Sequence, residues 1–413
     1  MESKNIINNA ENEINVTSLG KNNSLKGSIS INKSIKYYYQ KPPLIGLQNL
    51  GHSDYMNAVI QCLSNIEQLT SYFKYDSYIK QKIKENTNSL VASYKLIIDN
   101  LWPNKNKYKY SFNNNKYNTP YDLKDCISQM NNIFKEIQVD VKDMIDFFIF
   151  MLHKELNRIN NCSITLKYDI DKNNEKLIFD NFLQYFKSKN NSIIVDLFYG
   201  IKKFEYKCLK CNNTIYNFED YFYICFPLEE IRRYKLTKLQ ENNSLLNQNE
   251  INFKIQLLNK NIVDIKDCFE HYQSTVIFSG DNSIFCNKCN EIYSTSFQSL
   301  LYILPQILII ILNRGKIVKH KIKLKFEELL DSSDYDKNGR IYELISVITH
   351  LGKYDFSGHY IAQCKSPIDN KWYRYNDAIV SEMNNFEKDI LNFGEPYVLF
   401  HKKQQKINLP TKY

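Results

Sequence analysis

Arginine is scarce in this chain of 413 residues: it supplies 6 of the 54 basic side chains, against 48 lysines scattered among asparagine and isoleucine. No dense basic run appears. The formal charge of +9 therefore reads as a composition bias, not a patch built for phosphate, and a nucleic-acid partner is unsupported. Long apolar runs are missing too. The most apolar stretch, Leu300–Leu312, has 13 residues and is broken by Pro305, short of the ~20 that span a bilayer. It reads as a buried, β-branched strand, and no membrane association is expected. The first fifteen residues lack the apolar core of a signal peptide, so the chain is expected to be intracellular, in cytoplasm or nucleus. There is no internal repeat. Without a secretory signal, the ten cysteines argue for thiols and metal ligands instead of a disulfide framework.

What the chain does have is apolar surface to bury: 43% hydrophobic residues, with 31 tyrosines and 24 phenylalanines. Its length suits one large multilobed domain or two. Residues 1–40, rich in Asn, Ser, Lys and Ile without periodicity, read as a disordered leader, and Pro42-Pro43 marks where order begins. From Asp54 to Ile66, Met56, Val59, Ile60 and Leu63 repeat at helical spacing and predict an amphipathic helix. A second helix is predicted from about Ile133 to Leu156, with Val141, Met144, Ile145, Phe148 and Leu152 on one face. After Cys162 the pattern becomes β-like, over Ile193–Tyr199, Tyr221–Phe226, Ser294–Leu304, Ile307–Leu312, Tyr342–Thr349, His359–Cys364 and Trp372–Tyr375. Polar inserts at Asp171–Lys176 and Arg232–Lys260 interrupt these runs. A helical first part followed by a β-rich second part predicts an α+β fold.

Three constellations carry chemistry. In the first, Gly46, Asn49, Gly51, His52, Ser53 and Asp54 lead into a helix. Such a terminus stabilises a thiolate or an oxyanion, and the Asn49 amide is a candidate oxyanion donor. Equally, Ser53 or Asp54 is a plain helix cap. In the second, His350, Gly358-His359-Tyr360 and Trp372–Asp377 set a histidine on one strand and an amide or carboxylate on the next, the base–orienter half of a triad or else a surface hairpin. The third is a pair of knuckles, Cys208-Leu-Lys-Cys211 and Cys286-Asn-Lys-Cys289, with 74 residues between them. Two CxxC turns are a strong signal for a zinc site of four cysteines that ties distant hairpins together.

In this order the segments resemble the ubiquitin-specific protease family, from about Pro42 to His401. The first is similar to the family's Gly-Leu-x-Asn-x-Gly-x-Thr-Cys-Tyr-x-Asn box, with Asp54 where the cysteine stands and Gly51 and Tyr55 matching its loop. Gln138-Val139-Asp140-Val141-Lys142-Asp143-Met144 resembles the Gln-Gln-Asp-Ala-Gln-Glu-Phe box, and the resemblance implies that Asp140 and Asp143 hold the basic tail of ubiquitin. Ser192–Gly200 looks like the approach to the zinc fingers, and Leu304–Arg314 like a family strand. His359 falls on the general base and Asn376 on its orienter, with Asp377 beside it. The fold so implied is a papain-like hand: a helical thumb over about 41–165, β fingers carrying Zn2+ over about 190–300, and a palm, together residues 41–405, with 406–413 a tail. The implied partners are ubiquitin or ubiquitinated proteins.

The departure at Asp54 decides the activity. A carboxylate attacking an amide forms a mixed anhydride, and expelling an amine to reach it is strongly uphill. Losing a triad nucleophile costs about 10⁶ in kcat, ~8 kcal/mol. Cys62 lies ~12 Å along the helix and reads as a core thiol; Ser53 points elsewhere and lacks an evident base. An Asp54–His359 ion pair is expected, each partner favouring the other's charged form. The reading placed first is thus a ubiquitin-recognising, catalytically inactive member. The alternatives are an active deubiquitinase that cleaves after ubiquitin's C-terminal glycine, and a splicing-associated inactive branch. That branch also carries Asp here but has lost the histidine and the knuckles.

Overall fold

The structure, a computed structural model, describes residues 33–104, 117–135, 139–159, 171–241, 248–315, 321–335, 340–352, 358–385, 389–390 and 394–404. Expectations for residues 1–32, Gln138 and 406–413 lie outside the described residues. The fold is α+β, as expected. Helices Asp54–Ser64, Glu67–Tyr75, Ser77–Glu85, Leu90–Leu101, Tyr121–Met130 and Val141–Leu156 come first. A mixed eight-stranded sheet follows mainly from the second half. Its order is Ile379–Glu382, Trp372–Asn376, His359–Lys365, Ile341–Leu351, Glu395–Lys403, Ile307–Asn313 and Ile224–Pro227, with Leu329–Asp331 pairing to Ile341–Leu351. Among the described residues no helix is long and apolar enough to cross a membrane.

Local chemistry starts the helices. Asp76, Ser89 and Asp140 each accept an amide hydrogen from the first turn of the helix that follows. The Glu155 carboxylate, on the Val141–Leu156 helix, also takes the amides of Leu90 and Val91 at 3.1 and 2.8 Å, clamping two helices together. The Asp54–Ser64 helix is not simply amphipathic: every residue in it is buried. Its polar side chains survive burial because they are bonded, Gln61 Nε2 to the Ile45 carbonyl at 3.0 Å and Asn57 Nδ2 to Asp377 Oδ1 at 2.7 Å.

Several boundaries differ from the sequence expectation. The helix expected from Ile133 begins at Val141, because Asp140 caps it there; Asn132–Phe134 is a separate short turn. Ile193–Tyr199, expected as a strand, is a helix over Ile193–Phe198, since Ser192 caps it at the Val195 amide. Apolar runs this short do not declare their period. Tyr221–Phe226 divides between the strands Thr214–Tyr221 and Ile224–Pro227. The polar insert Arg232–Lys260, whose order the sequence leaves open, is helical over 232–241 and 248–259, within helices Leu228–Glu241 and Gln248–Asn259, which bury Ile231, Leu239, Ile251 and Leu258. Order also precedes Pro42: Ile35 is wholly buried, its amide bonded to Ser71 Oγ at 3.0 Å.

A four-stranded antiparallel sheet, ordered Thr214–Tyr221, Gly200–Cys208, Thr295–Ile303 and Val276–Phe278, carries the first cysteine knuckle at its end. The hairpin Ile284–Cys286 with Glu291–Tyr293 carries the second. The eight-stranded sheet has a core on each face. One contains the Asp54–Ser64 helix, and the other lies under Leu228–Glu241 and Ile265–Tyr272.

Candidate active site

Asp54 opens its helix at the bottom of a loop whose backbone the sequence shapes closely. Gly46 lies so near the opposite turn that an added Cβ would stand 2.4 Å from the Ala378 carbonyl oxygen, and next to it Leu47 N donates to the Asp377 carbonyl at 2.8 Å. Gly51 and His52 both adopt positive φ, 80° and 47°, the first at no steric cost. Lys124 Nζ donates to the carbonyls of Leu50 and Gly51 at 2.9 and 2.6 Å and holds this turn from the helical side. Asn49 Oδ1 accepts from the Ser53 amide at 3.3 Å, and Ser53 Oγ accepts from the Leu50 amide at 2.8 Å.

The strand His359–Lys365 brings the histidine to this helix. The Asp54 carboxylate, 3% exposed, accepts the Tyr360 amide hydrogen at 2.7 Å and lies 3.4 Å from His359 Nδ1. On the other side of the ring, Nε2 donates to Asn376 Oδ1 at 2.7 Å and stands 3.7 Å from Asp377 Oδ2. Both ring nitrogens thus face acceptors, which favours the imidazolium. The hydrogen bond to Asp54 is the largest influence. Against the cost of burial, and with Asn376 and the Asp377 charge, it pushes the His359 pKa up to about 9. Burial raises the Asp54 carboxyl, but the bonds from His359 and the Tyr360 amide outweigh it, and the group sits below the usual carboxylate range. The ion pair anticipated from sequence is present.

Asp377 is the brace of the site. Its Oδ2 takes the Asn49 amide at 2.9 Å and its Oδ1 takes Asn57 at 2.7 Å, so one turn holds both the loop and the helix. One Asn49 N–H is therefore committed to Asp377. His350 does not join the site. It is buried, its ring lies against Tyr360 at 4.8 Å, and a Cβ on Gly358 would meet its Nε2 at 1.8 Å. Ser53 is wholly buried, and Cys62 is too, with the Cys364 sulfur 3.9 Å away; burial pushes the Cys62 thiol well up.

Asp140 and Asp143 share the first turn of the Val141–Leu156 helix, yet they differ. Asp140 is the cap, bonded through Oδ1 to the Lys142 amide and through Oδ2 to the Tyr397 hydroxyl at 2.6 Å, whereas Asp143 is exposed. Lys124 and Tyr397 are not singled out by the sequence, and Asn57 enters only as the last position of the glycine-rich box, with no role given to it. Asn57 had a signal, a polar residue three positions after Asp54 on a helix facing the sheet. Tyr397 had none, being 257 residues from its partner.

The four knuckle cysteines converge. Their sulfurs all lie within 4.8 Å of one another, with Cys208–Cys289 at 3.9 Å and Cys211–Cys286 at 3.7 Å. These spacings match the ~3.8 Å edge of a tetrahedron with metal–sulfur bonds of ~2.3 Å, so the donor set fits a thiolate-bound ion. Each knuckle ends in an asparagine at φ 57°, Asn212 and Asn290, whose amide returns to the first cysteine's carbonyl at 2.9 and 2.8 Å. Asparagine tolerates that left-handed turn better than most side chains.

A histidine strand set against a buried helix terminus, with an amide bonded to the ring from the next strand, is an arrangement of the papain-like class of fold. The ubiquitin carboxyl-terminal hydrolase family model matches residues 45–401, and the chain belongs to that family. Ubiquitin carboxyl-terminal hydrolase Usp2 of Drosophila melanogaster is 24% identical over 371 residues, 87% of this chain and 35% of that protein. Ubiquitin carboxyl-terminal hydrolase 15 of Xenopus tropicalis is 31% identical over 194 residues, 46% of this chain and 19% of that one. The chain thus spans about a third or less of these relatives. Among solved structures, a SAGA DUB module bound to monoubiquitin matches with a TM-score of 0.64 at 19% identity, covering 89% of this chain and 70% of that chain.

Proposed function

We propose that this chain recognises ubiquitin, free or attached to other proteins, and holds its C-terminal tail without cleaving the bond that follows it. One observation supports the reading: at the head of the buried helix, the place this reading gives to the family's thiol, is a carboxylate, 3% exposed and bonded to the Tyr360 amide. Attack by that carboxylate on an isopeptide leads to an anhydride, which an amine leaving group reverses. Neither neighbour replaces the thiolate, since Ser53 and Cys62 are both 0% exposed.

In this reading His359 occupies the place of the general base, Asn376 that of its orienter and Asp377 that of a supporting brace. Asn49 stands at the oxyanion position with one N–H engaged. Asp140 and Asp143 receive the basic tail. Residues 41–165 form the thumb, 190–300 the fingers and the remainder of 41–405 the palm. The ion held by Cys208, Cys211, Cys286 and Cys289 is Zn2+, which takes four thiolates tetrahedrally and serves structure.

The test compares wild type with Asp54→Cys on a ubiquitin C-terminal fluorogenic substrate, alongside calorimetric binding of ubiquitin. Binding by both and turnover by the variant alone supports the proposal. Turnover by wild type that Ser53→Ala or Cys62→Ser abolishes overturns it in favour of an active deubiquitinase.

A further inference from the structure

The charges that meet at the head of the Asp54–Ser64 helix do not cancel. Asp54 and Asp377 flank the His359 ring, 3.4 Å from Nδ1 and 3.7 Å from Nε2. Two carboxylates against one imidazolium leave one negative charge. Burial raises the Asp54 carboxyl, but the bonds from His359 and the Tyr360 amide outweigh it, and the group is ionised at neutral pH. The bond to Asp54, against burial, keeps the ring charged up to about pH 9. Lys124, the lysine that reaches this loop, has its Nζ committed to the carbonyls of Leu50 and Gly51.

The amide donors beside these charges are engaged as well. The Tyr360 N–H goes to Asp54 Oδ2 at 2.7 Å, and one Asn49 N–H goes to Asp377 Oδ2 at 2.9 Å. An incoming anion is held by hydrogen-bond donors and by opposite charge. Here two donors already serve the protein's own carboxylates, and the charge left over has the wrong sign. Asp54 is 3% exposed and the His359 side chain 32%. Like charges therefore repel across a partly desolvated medium, more strongly than they would in water.

We infer that the site favours ubiquitin whose C-terminal glycine is joined to an amine, as in a conjugate, over free ubiquitin, which ends in a carboxylate. The inference rests on the ubiquitin reading above, in which the bond after the tail lies beside Asp54. An amide at that point is neutral and meets no repulsion. A carboxylate there adds a second negative charge with no cation to match it. Asp54 thereby selects by charge, and the rest of the ubiquitin contact is common to both forms.

The experiment is calorimetry at pH 6, below the ordinary histidine value of 6.5, so that the ring stays charged when Asp54 is replaced. The full chain is titrated with free ubiquitin, with ubiquitin amidated at its C-terminal glycine, and with ubiquitin joined by an isopeptide to a blocked lysine. The amidated and lysine-linked forms are expected to bind ~10-fold tighter than the free form. Asp54→Asn, which removes the charge and keeps an acceptor for Tyr360, should cut that ratio to ~3-fold or less. Asp54→Ser repeats the measurement, and melting curves check that both variants fold. Equal affinity for amidated and free ubiquitin, or a preference that both variants retain, overturns the inference and leaves ubiquitin recognition standing. A gain by the lysine-linked form alone also overturns it, because the lysine and not the charge is then recognised. If no form binds, the ubiquitin reading itself falls, and the inference with it.

Discussion

Asp54 Oδ2 accepts the backbone amide hydrogen of Tyr360 at 2.7 Å, across 306 residues of chain. A side chain at the head of the first long helix is thereby locked to the strand that carries His359. The carboxylate is thus a structural tie between helix and sheet.

That tie depends on pH in a predictable direction. The His359 pKa rises from 6.5 to about 9, so its contribution to stability is fully present below 6.5 and is lost as pH climbs through about 9. The Asp54 pKa is lowered from 3.8, so its contribution is present above that value and is lost on acidification below it. Asp54→Asn keeps an acceptor for Tyr360 and removes the charge. Wild type is expected to exceed this variant by ~1 kcal/mol, discounted for the half-exposed ring, between about pH 4 and 6.5. Chemical denaturation from pH 4 to 10 measures the difference; a gap that widens above pH 9 contradicts the pairing.

Removing a metal held by the four knuckle cysteines should loosen the cysteine hairpins and spare the eight-stranded sheet. Elemental analysis is expected to give one zinc per chain, and Cys286→Ser to lose it. Chelation then exposes the Ile284–Tyr293 hairpin to protease, while the Asp54–Ser64 helix stays protected in hydrogen exchange. Equal loss of protection in both places would mean that the two parts unfold together.

Gly358 owes its identity to His350. Alanine there puts a methyl group 1.8 Å from the buried ring nitrogen and is expected to destabilise by ~1–3 kcal/mol. The double variant with His350→Ala should recover part of the loss, because the collision disappears. Purely additive losses in thermal melts would place the cost elsewhere.

The thiols of Cys62 and Cys364 should be inert in the native protein. Both are wholly buried, and burial raises the Cys62 thiol far from its reactive form. Mass spectrometry after iodoacetamide treatment is expected to find modification at partly exposed Cys126 and none at either core thiol until denaturant is added.

Local signals were legible wherever a few neighbouring residues carry the physics. The period of Met56, Val59, Ile60 and Leu63 marked their helix to within two residues of its observed end. The matched CxxC spacing anticipated one four-sulfur cluster because each turn sets two sulfurs on one edge whatever lies between. Short apolar runs failed for the same reason: Ile193–Phe198 has too few residues to separate a period of 2 from 3.6, and only Ser192 and the packing decided for helix. For Arg232–Lys260 the polar composition leaves order undecided, and the helices over its described residues are held by pairs such as Lys235 with Asp267 at 3.0 Å.

By itself the sequence determined the parts of the site: a glycine-rich loop entering a helix at Asp54, a histidine strand, an asparagine on the strand after it and two cysteine knuckles. Which atoms meet was decided by tertiary structure alone. Nothing near Asn49 announces that its amide is taken by Asp377, or that Tyr397 occupies Asp140. Nor does anything near His350 announce that it packs under Gly358 while His359 faces Asp54. Side-chain periodicity and turn chemistry act over a few residues. Hydrogen bonds between residues hundreds apart form only once burial has set the helix against the sheet and chosen, for each polar atom, its partner.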